Sequence, residues 1–165
     1  MSHIRFSVLA VAAFVLVSAF SMAALSQDLL TQKVISMKMA QTMAQATIAQ
    51  CRANGYRVSV TILENSGMLK AFLRDDGSGA GTPDLSRSKA YTALFFRRTS
   101  GETAKAFGAM SPPPNVAGTV MMQGGVPIKA GTETIGAIGV SGAPGGEKDE
   151  ACVKAGIDKV ADQLK

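Results

Sequence analysis

The chain has 165 residues, enough for one domain of ordinary size, and its 17 basic and 12 acidic residues give a formal net charge of +5 at pH 7. The basic residues are spread along the sequence, and there is no tryptophan to stack on bases. A nucleic acid is therefore excluded as the expected partner.

The N-terminal segment has the features of a secretory signal peptide. Residues 1–26 contain Arg5, a short apolar run and small residues that predict cleavage after Ser26, with Ala23 as a second candidate site. A retained membrane anchor is the alternative, but the apolar run is shorter than the roughly 20 residues that a spanning helix needs. We expect a periplasmic or secreted protein with no stable membrane anchor, whose single domain is residues 27–165.

Cleavage would also remove His3, the single histidine of the chain. Without an imidazole, the mature domain cannot build a Ser-His-Asp or Cys-His nucleophile, and no histidine can bind a metal. No other nucleophile or base is evident, so we do not expect an enzyme. A lyase or isomerase that uses Lys89 or Asp76 is the remaining enzymatic alternative.

The first half of the mature chain predicts a helix followed by a hairpin. Residues 29–54 carry apolar side chains at steps of three and four, which is typical of an amphipathic helix, and Gly55 is a natural stop. Alternating apolar and polar residues over 56–63, and a second run over 68–74, predict the two strands of the hairpin.

Two further helices are predicted in the middle of the chain. A loop with three glycines over residues 75–83 leads to a helix that begins at Asp84 or Ser86. Thr99 and Glu102 then have the spacing of a capping box, which predicts the start of a second, short helix.

The C-terminal part predicts three short strands, near residues 119–122, 126–129 and 134–141, and a last helix over residues 147–164. The acidic first turn of that helix suits the helix dipole. The order of elements predicts an α+β fold, a single antiparallel sheet of about five strands with flanking helices.

Glycine is concentrated in residues 124–152. Glycines in and around the last strand are unusual unless another backbone or a flat ligand lies close against it. The turn at residues 141–146 opens the last helix, and backbone N–H groups at a helix start favour an anion such as a carboxylate. A capped turn that binds nothing is the alternative.

The chain has two cysteines, and export would place both in an oxidising compartment. Cys51 ends the first predicted helix and Cys152 begins the last one. If the last strand pairs antiparallel with the first, both cysteines fall at the same edge of the domain. A disulfide there would close a loop of about 100 residues, worth roughly 4 to 5 kcal/mol. Two free thiols are the alternative.

Three stretches of sequence occur in a specific order and spacing: VSVTILENSGMLKAFLRDDG at 58–77, RSKAYTALFFRRTS at 87–100 and GGVPIKAGTETIGAIGVSG at 124–142, followed by the tail DEACVKAGIDKV. Together they resemble the GlcG/HbpS-like haem-binding family, also found as the C-terminal domain of PduO-type proteins. The resemblance covers nearly all of the mature chain. It implies a profilin-like fold, frequent assembly into homo-oligomers, and binding of haem or a related tetrapyrrole in some members.

A haem would need an apolar slot, cations for its propionates and a weak ligand to iron. Adjacent strand residues point to opposite faces, so only one of Met121 and Met122 would face the ligand. Arginine and lysine side chains can bind a carboxylate, and Arg97 and Arg98 are further candidates of this kind. Solvated surface charge is the alternative for each of these cations. The residues expected at the site of a tetrapyrrole or small acid are Arg74, Lys89, Tyr91, Met121, Met122, Gly124, Gly125, Ser141 and Gly142.

The acidic side chains are interpreted as solvated charge, with weak surface binding of iron ions as the alternative; they are Asp75, Asp76, Glu147, Asp149 and Glu150. The missing histidine argues against tight axial ligation of haem. Our first hypothesis is an exported tetrapyrrole-binding protein for haem storage, delivery or sensing. The alternative is a non-haem accessory protein that binds a small carboxylic acid beside an exported oxidation system.

Overall fold

The structure is a computed structural model and describes residues 30–108, 110 and 115–165. The predicted signal peptide lies outside these residues. Every described helix and strand lies in one compact unit, Lys33–Lys165. No helix in the described part of the chain is long and apolar enough to cross a membrane.

The described residues of this unit form four α-helices, one short 3-10 helix and four strands. The helices are α1 (Met37–Ala53), α2 (Thr82–Phe96), α3 (Ser100–Gly108), α4 (Gly146–Asp158) and the 3-10 helix Ala161–Gln163. The strands are β1 (Ser59–Glu64), β2 (Leu69–Arg74), β3 (Gly125–Ala130) and β4 (Glu133–Ser141). The predicted α+β fold is confirmed.

The strands form one antiparallel sheet in the order β2-β1-β4-β3, so the described sheet has four strands and not five. The prediction of a strand near residues 119–122 is wrong, because a side chain of α2 forms hydrogen bonds with this backbone in place of a neighbouring strand. The N–H of Val120 donates to Thr92 Oγ1 at 2.9 Å, and this hydroxyl lies 3.1 Å from the carbonyl oxygen of Val120.

Local capping hydrogen bonds determine where α1 and α3 begin in the structure. Residues 30–36 are not helical, and α1 begins at Met37, where Ser36 Oγ accepts a hydrogen bond from the N–H of Met39 at 3.2 Å. The capping box at α3 is present, with both of its reciprocal hydrogen bonds between Thr99 and Glu102, at 2.8 and 3.1 Å.

Helices cover both faces of the sheet, and the alternation in β1 shows which residues face which layer. Val60 and Ile62 are buried in the core that α1 and α4 share. Ser59 and Thr61 point to the other face, where their hydroxyls hydrogen-bond Thr82 at 2.8 Å and Ser86 of α2 at 2.7 Å. The sheet is therefore the middle layer of the fold. Helices α1 and α4 pack on one face, and α2 packs on the other.

The close approach of α2 explains two of the glycines in the sheet. A Cβ atom on Gly139 would collide with the carbonyl oxygen of Ser86, and one on Gly125 with the carbonyl oxygen of Lys89. Of the two explanations that the sequence left open, a second backbone or a flat ligand, the backbone of α2 is the one that applies at these positions.

Cys51 and Cys152 are joined by a disulfide, with their Cα atoms 5.4 Å apart and both side chains buried. The bridge connects the last turn of α1 to the second turn of α4. The antiparallel pairing of β1 with β4 places Ser59 opposite Ser141, and it thereby brings these two parts of the helices together at the same end of the two central strands.

Candidate functional site

A cavity of about 440 Å³ lies where β4 ends and α4 begins. Its size falls in the range of small-molecule sites, roughly 300 to 1,000 Å³. The residues that line it are Lys89, Met122, Gln123, Ser141, Gly142, Ala143, Pro144, Gly145, Gly146 and Asp149. The turn that we expected to face a ligand therefore forms one wall of this cavity.

A buried ion pair lies in the wall of the cavity. Lys89 Nζ in α2 is 2.7 Å from Asp149 Oδ2 in the first turn of α4, and each side chain is only 3% exposed. The second carboxylate oxygen, Asp149 Oδ1, accepts a hydrogen bond from the N–H of Ala143 at 3.0 Å. The pair thus connects α2 and α4, which pack on opposite faces of the sheet. Through Ala143 it also fixes the loop between β4 and α4.

Burial raises the pKa of Asp149, since a carboxylate loses solvation in this position, and the negative charge of Glu147 acts in the same direction. The hydrogen bond from Lys89, its positive charge and the N–H of Ala143 oppose this shift of the pKa. A buried pair of this kind is weak evidence for stability, because desolvation offsets much of the attraction. Its place beside a cavity makes it a candidate for binding.

Gly124 allows Lys89 to reach the cavity. Its φ of +128° is a backbone conformation that other residues rarely adopt. A Cβ atom there would lie 2.9 Å from Lys89 Nζ and 2.8 Å from the carbonyl oxygen of Val140. A larger residue at position 124 would therefore displace the lysine ammonium.

The structure brings several predicted site residues together. Lys89, Met122, Ser141 and Gly142 all line the cavity, and Met122 is 46% exposed. Gly125 lies beneath α2, and its N–H donates to Ser100 Oγ at 2.8 Å.

Other predicted residues lie elsewhere. Met121 is half-buried and is not part of the cavity lining. The ring of Tyr91 packs beside Gly67 and Gly118, away from the cavity lining. Arg74 is exposed, lines a separate cleft between α1 and β2, and donates to the carbonyl oxygen of Ser78 at 2.7 Å.

Two of the acidic residues interpreted as solvated charge are in fact buried. Asp75 is 3% exposed and is held by Arg52, whose Nε and Nη2 lie 2.6 to 3.0 Å from its carboxylate oxygens. Asp149 is the second. In the described part of the chain, no group of three histidine, cysteine, aspartate or glutamate side chains is placed to hold a metal ion.

Sequence reasoning missed Asp149 and Gln123 as lining residues. Asp149 was attributed to the helix dipole, since an acidic residue in a first helical turn is common on exposed helices. Gln123 donates to Glu150 Oε2 at 2.7 Å, while Glu150 Oε1 is buried without a partner in the described structure. No local signal separates these polar residues from surface ones, because their roles depend on where α2 and α4 meet.

Residues 35–158 match the protein family described as haem degrading protein, HbpS-like. Among solved structures, a double mutant of HbpS from Streptomyces reticuli is 30% identical with a TM-score of 0.77, and covers 83% of this chain and 94% of that chain. ORFY of Klebsiella pneumoniae is 23% identical with a TM-score of 0.71, over 82% and 98% of the two chains. No curated protein sequence matches significantly.

The fold also matches a structure described as a PduOC:haem complex, with a TM-score of 0.69 and 18% identity over 77% of this chain and 95% of that chain. Identity at this level shows the fold alone. The family match covers 124 of 165 residues (35 to 158), well over half of the sequence. The chain therefore belongs to the HbpS-like family of haem degrading proteins, which confirms the resemblance.

Proposed function

We propose that the protein binds haem or a related tetrapyrrole in the cavity beside Met122. The observation that carries the proposal is the position of this residue, a half-exposed methionine in the lining of a cavity of about 440 Å³. Family membership and the shared fold of a PduOC:haem complex support the choice of ligand.

The residues of the cavity fit a weakly ligated tetrapyrrole. The thioether of Met122 is a known type of haem iron ligand, and Ala143 and Pro144 add apolar surface. A histidine ligand does not fit, because the single histidine of the sequence is His3, in the predicted signal peptide. A bound haem would supply redox chemistry at iron, while the side chains of this chain bind and orient it.

Titration of the mature, tag-free protein with haemin tests the proposal. We expect a saturable Soret shift at low micromolar haemin. Met122→Leu keeps the apolar volume but removes the sulfur, so it should change the Soret position or weaken binding. Met68→Leu, at a methionine that is 64% exposed in the turn between β1 and β2, is the matched control and should behave as the wild type. Absence of saturable binding by the wild type would overturn the proposal.

The biological role that we propose is haem storage, delivery or sensing after export, as a homo-oligomer. Any haem breakdown would need an external reductant in addition to the bound iron. Intact mass of the protein recovered from the periplasm or medium tests export and the cleavage site after Ser26. Light scattering with and without haemin tests assembly.

A second candidate is an accessory protein that binds a small carboxylic acid in the same cavity. The buried ammonium of Lys89 favours it, because an ammonium has three donors and Asp149 is the one acceptor that it contacts among the described residues. Thermal stabilisation by small acids, with no Soret shift on adding haemin, would select this function.

A further inference from the structure

We propose that Lys89 and Asp149 form a carboxylate subsite in the cavity, in which Lys89 binds the ligand carboxylate and this carboxylate shares one proton with Asp149. The inference rests on the proposed function, because it concerns the same cavity. The carboxylate belongs either to a propionate of the tetrapyrrole or to a free small acid, and the chemistry of recognition is the same for both.

The donors of the subsite are on the cavity wall. Lys89 Nζ uses one of its three donors on Asp149 Oδ2, and its side chain is 3% exposed, so the other donors have little access to bulk water. Buried donors without acceptors are costly, and a ligand oxygen in the cavity would satisfy them.

The start of α4 adds a second source of donors at the same wall. Its N-cap residue, Gly145, gives no side-chain hydrogen bond to the helix, and both Gly145 and Gly146 line the cavity. The first N–H groups of a helix lack partners within the helix and carry partial positive charge. The Glu147 carboxylate already lies against Gly145 at this helix end, so Lys89 is the main donor for the ligand carboxylate.

We expect a proton to bind together with the ligand, because the ligand carboxylate and the Asp149 carboxylate would then both contact the Lys89 ammonium. Two carboxylates in one buried site cannot both ionise easily, and one of them has a strongly raised pKa. The groups that face Asp149 are the Lys89 ammonium, the N–H of Ala143 and, at longer range, the Glu147 carboxylate. Burial already raises the pKa of Asp149 before any ligand is present, so the two carboxylates would share one proton when the ligand binds.

Calorimetric titration in buffers of different ionisation enthalpy counts the protons taken up on binding. The ligands are haemin, haemin dimethyl ester, propionate, lactate and, as a neutral match for propionate, propionamide. We expect uptake of about one proton with haemin or with a free acid near pH 7, none with the ester or amide, and an affinity that falls about tenfold for each unit of rising pH.

Asp149→Asn keeps an acceptor for the N–H of Ala143 but cannot take up the proton, so its carboxylate affinity should no longer depend on pH. Lys89→Gln should lose carboxylate binding. Because either variant can also affect folding, the proton count of the wild type decides the question by itself.

The outcomes separate this inference from the proposed function. Haemin binding without proton uptake would overturn the subsite and leave tetrapyrrole binding intact. Binding of free acids with proton uptake, but no binding of haemin, would support the subsite and overturn tetrapyrrole binding. Failure of every ligand to bind would overturn both.

Discussion

Asp149 and Cys152 lie one turn apart on α4, so the first two turns of this helix carry both the buried carboxylate and the disulfide. Asp149 lines the cavity and contacts Lys89, while Cys152 is bonded to Cys51 at the end of α1. The first part of α4 is therefore attached both to the helix that shares its sheet face and to the helix on the opposite face. Two of the predictions below follow from this double attachment.

Replacing both Cys51 and Cys152 with alanine should lower the free energy of unfolding by about 4 to 5 kcal/mol. The bridge spans 101 residues of sequence, and a long cross-linked loop restricts the unfolded chain strongly. Urea unfolding of wild type and double variant measures the difference. Alkylation of the denatured, unreduced wild type should label neither cysteine; labelling of both would show that the bridge is absent.

Removing one member of the buried ion pair should be costly. Lys89→Met leaves the Asp149 carboxylate buried without its partner, and we expect a loss of about 3 to 5 kcal/mol in the free energy of unfolding. In the double variant Lys89→Met/Asp149→Leu both charges are absent, so much of this loss should be recovered.

The exposed pair Lys154 and Asp158, 3.0 Å apart with side chains 76% and 58% exposed, provides the control. Lys154→Met should change the stability little, because exposed pairs are screened by solvent. Similar effects of Lys89→Met and Lys154→Met would contradict the role of burial.

A methyl group at Gly139 should destabilise the contact between β4 and α2. The added Cβ would collide with the carbonyl oxygen of Ser86, and backbone atoms cannot move aside as a flexible side chain can. We expect Gly139→Ala to lower the free energy of unfolding by about 1 to 3 kcal/mol or more. Gly81→Ala, where an added Cβ meets nothing within 4 Å, is the matched control and should be close to neutral.

The pair of Arg52 and Asp75 should make stability depend on acid pH. The hydrogen bond from Arg52 holds the pKa of Asp75 below its ordinary value. A lowered pKa in the folded state means stabilisation that is complete above the unfolded pKa and lost as pH falls through the folded pKa. The stability difference between wild type and Arg52→Ala should therefore be largest near neutral pH and shrink in acid. A difference that is constant from neutral to strongly acid pH would contradict this assignment.

The sequence was sufficient for features that depend on near neighbours. The alternation of Val60 and Ile62 with Ser59 and Thr61 marked the two faces of β1, and the spacing of Thr99 and Glu102 marked the start of α3. These patterns repeat over two to four residues, so each can be recognised within a short window. The strand predicted near residues 119–122 failed because the hydroxyl of Thr92, distant in sequence, holds that backbone instead.

The sequence by itself determined the α+β class, the glycine-rich turn before α4 and the family, because periodicity and ordered motifs are properties of the linear chain. Only the tertiary structure decided that α2 packs on Gly125 and Gly139, and that Lys89 meets Asp149 from across the sheet. These two side chains are 60 residues apart, and their contact depends on the positions of whole helices. A buried carboxylate and an exposed one have the same letter in the sequence, and the cavity beside Lys89 and Asp149 exists only after the layers have packed.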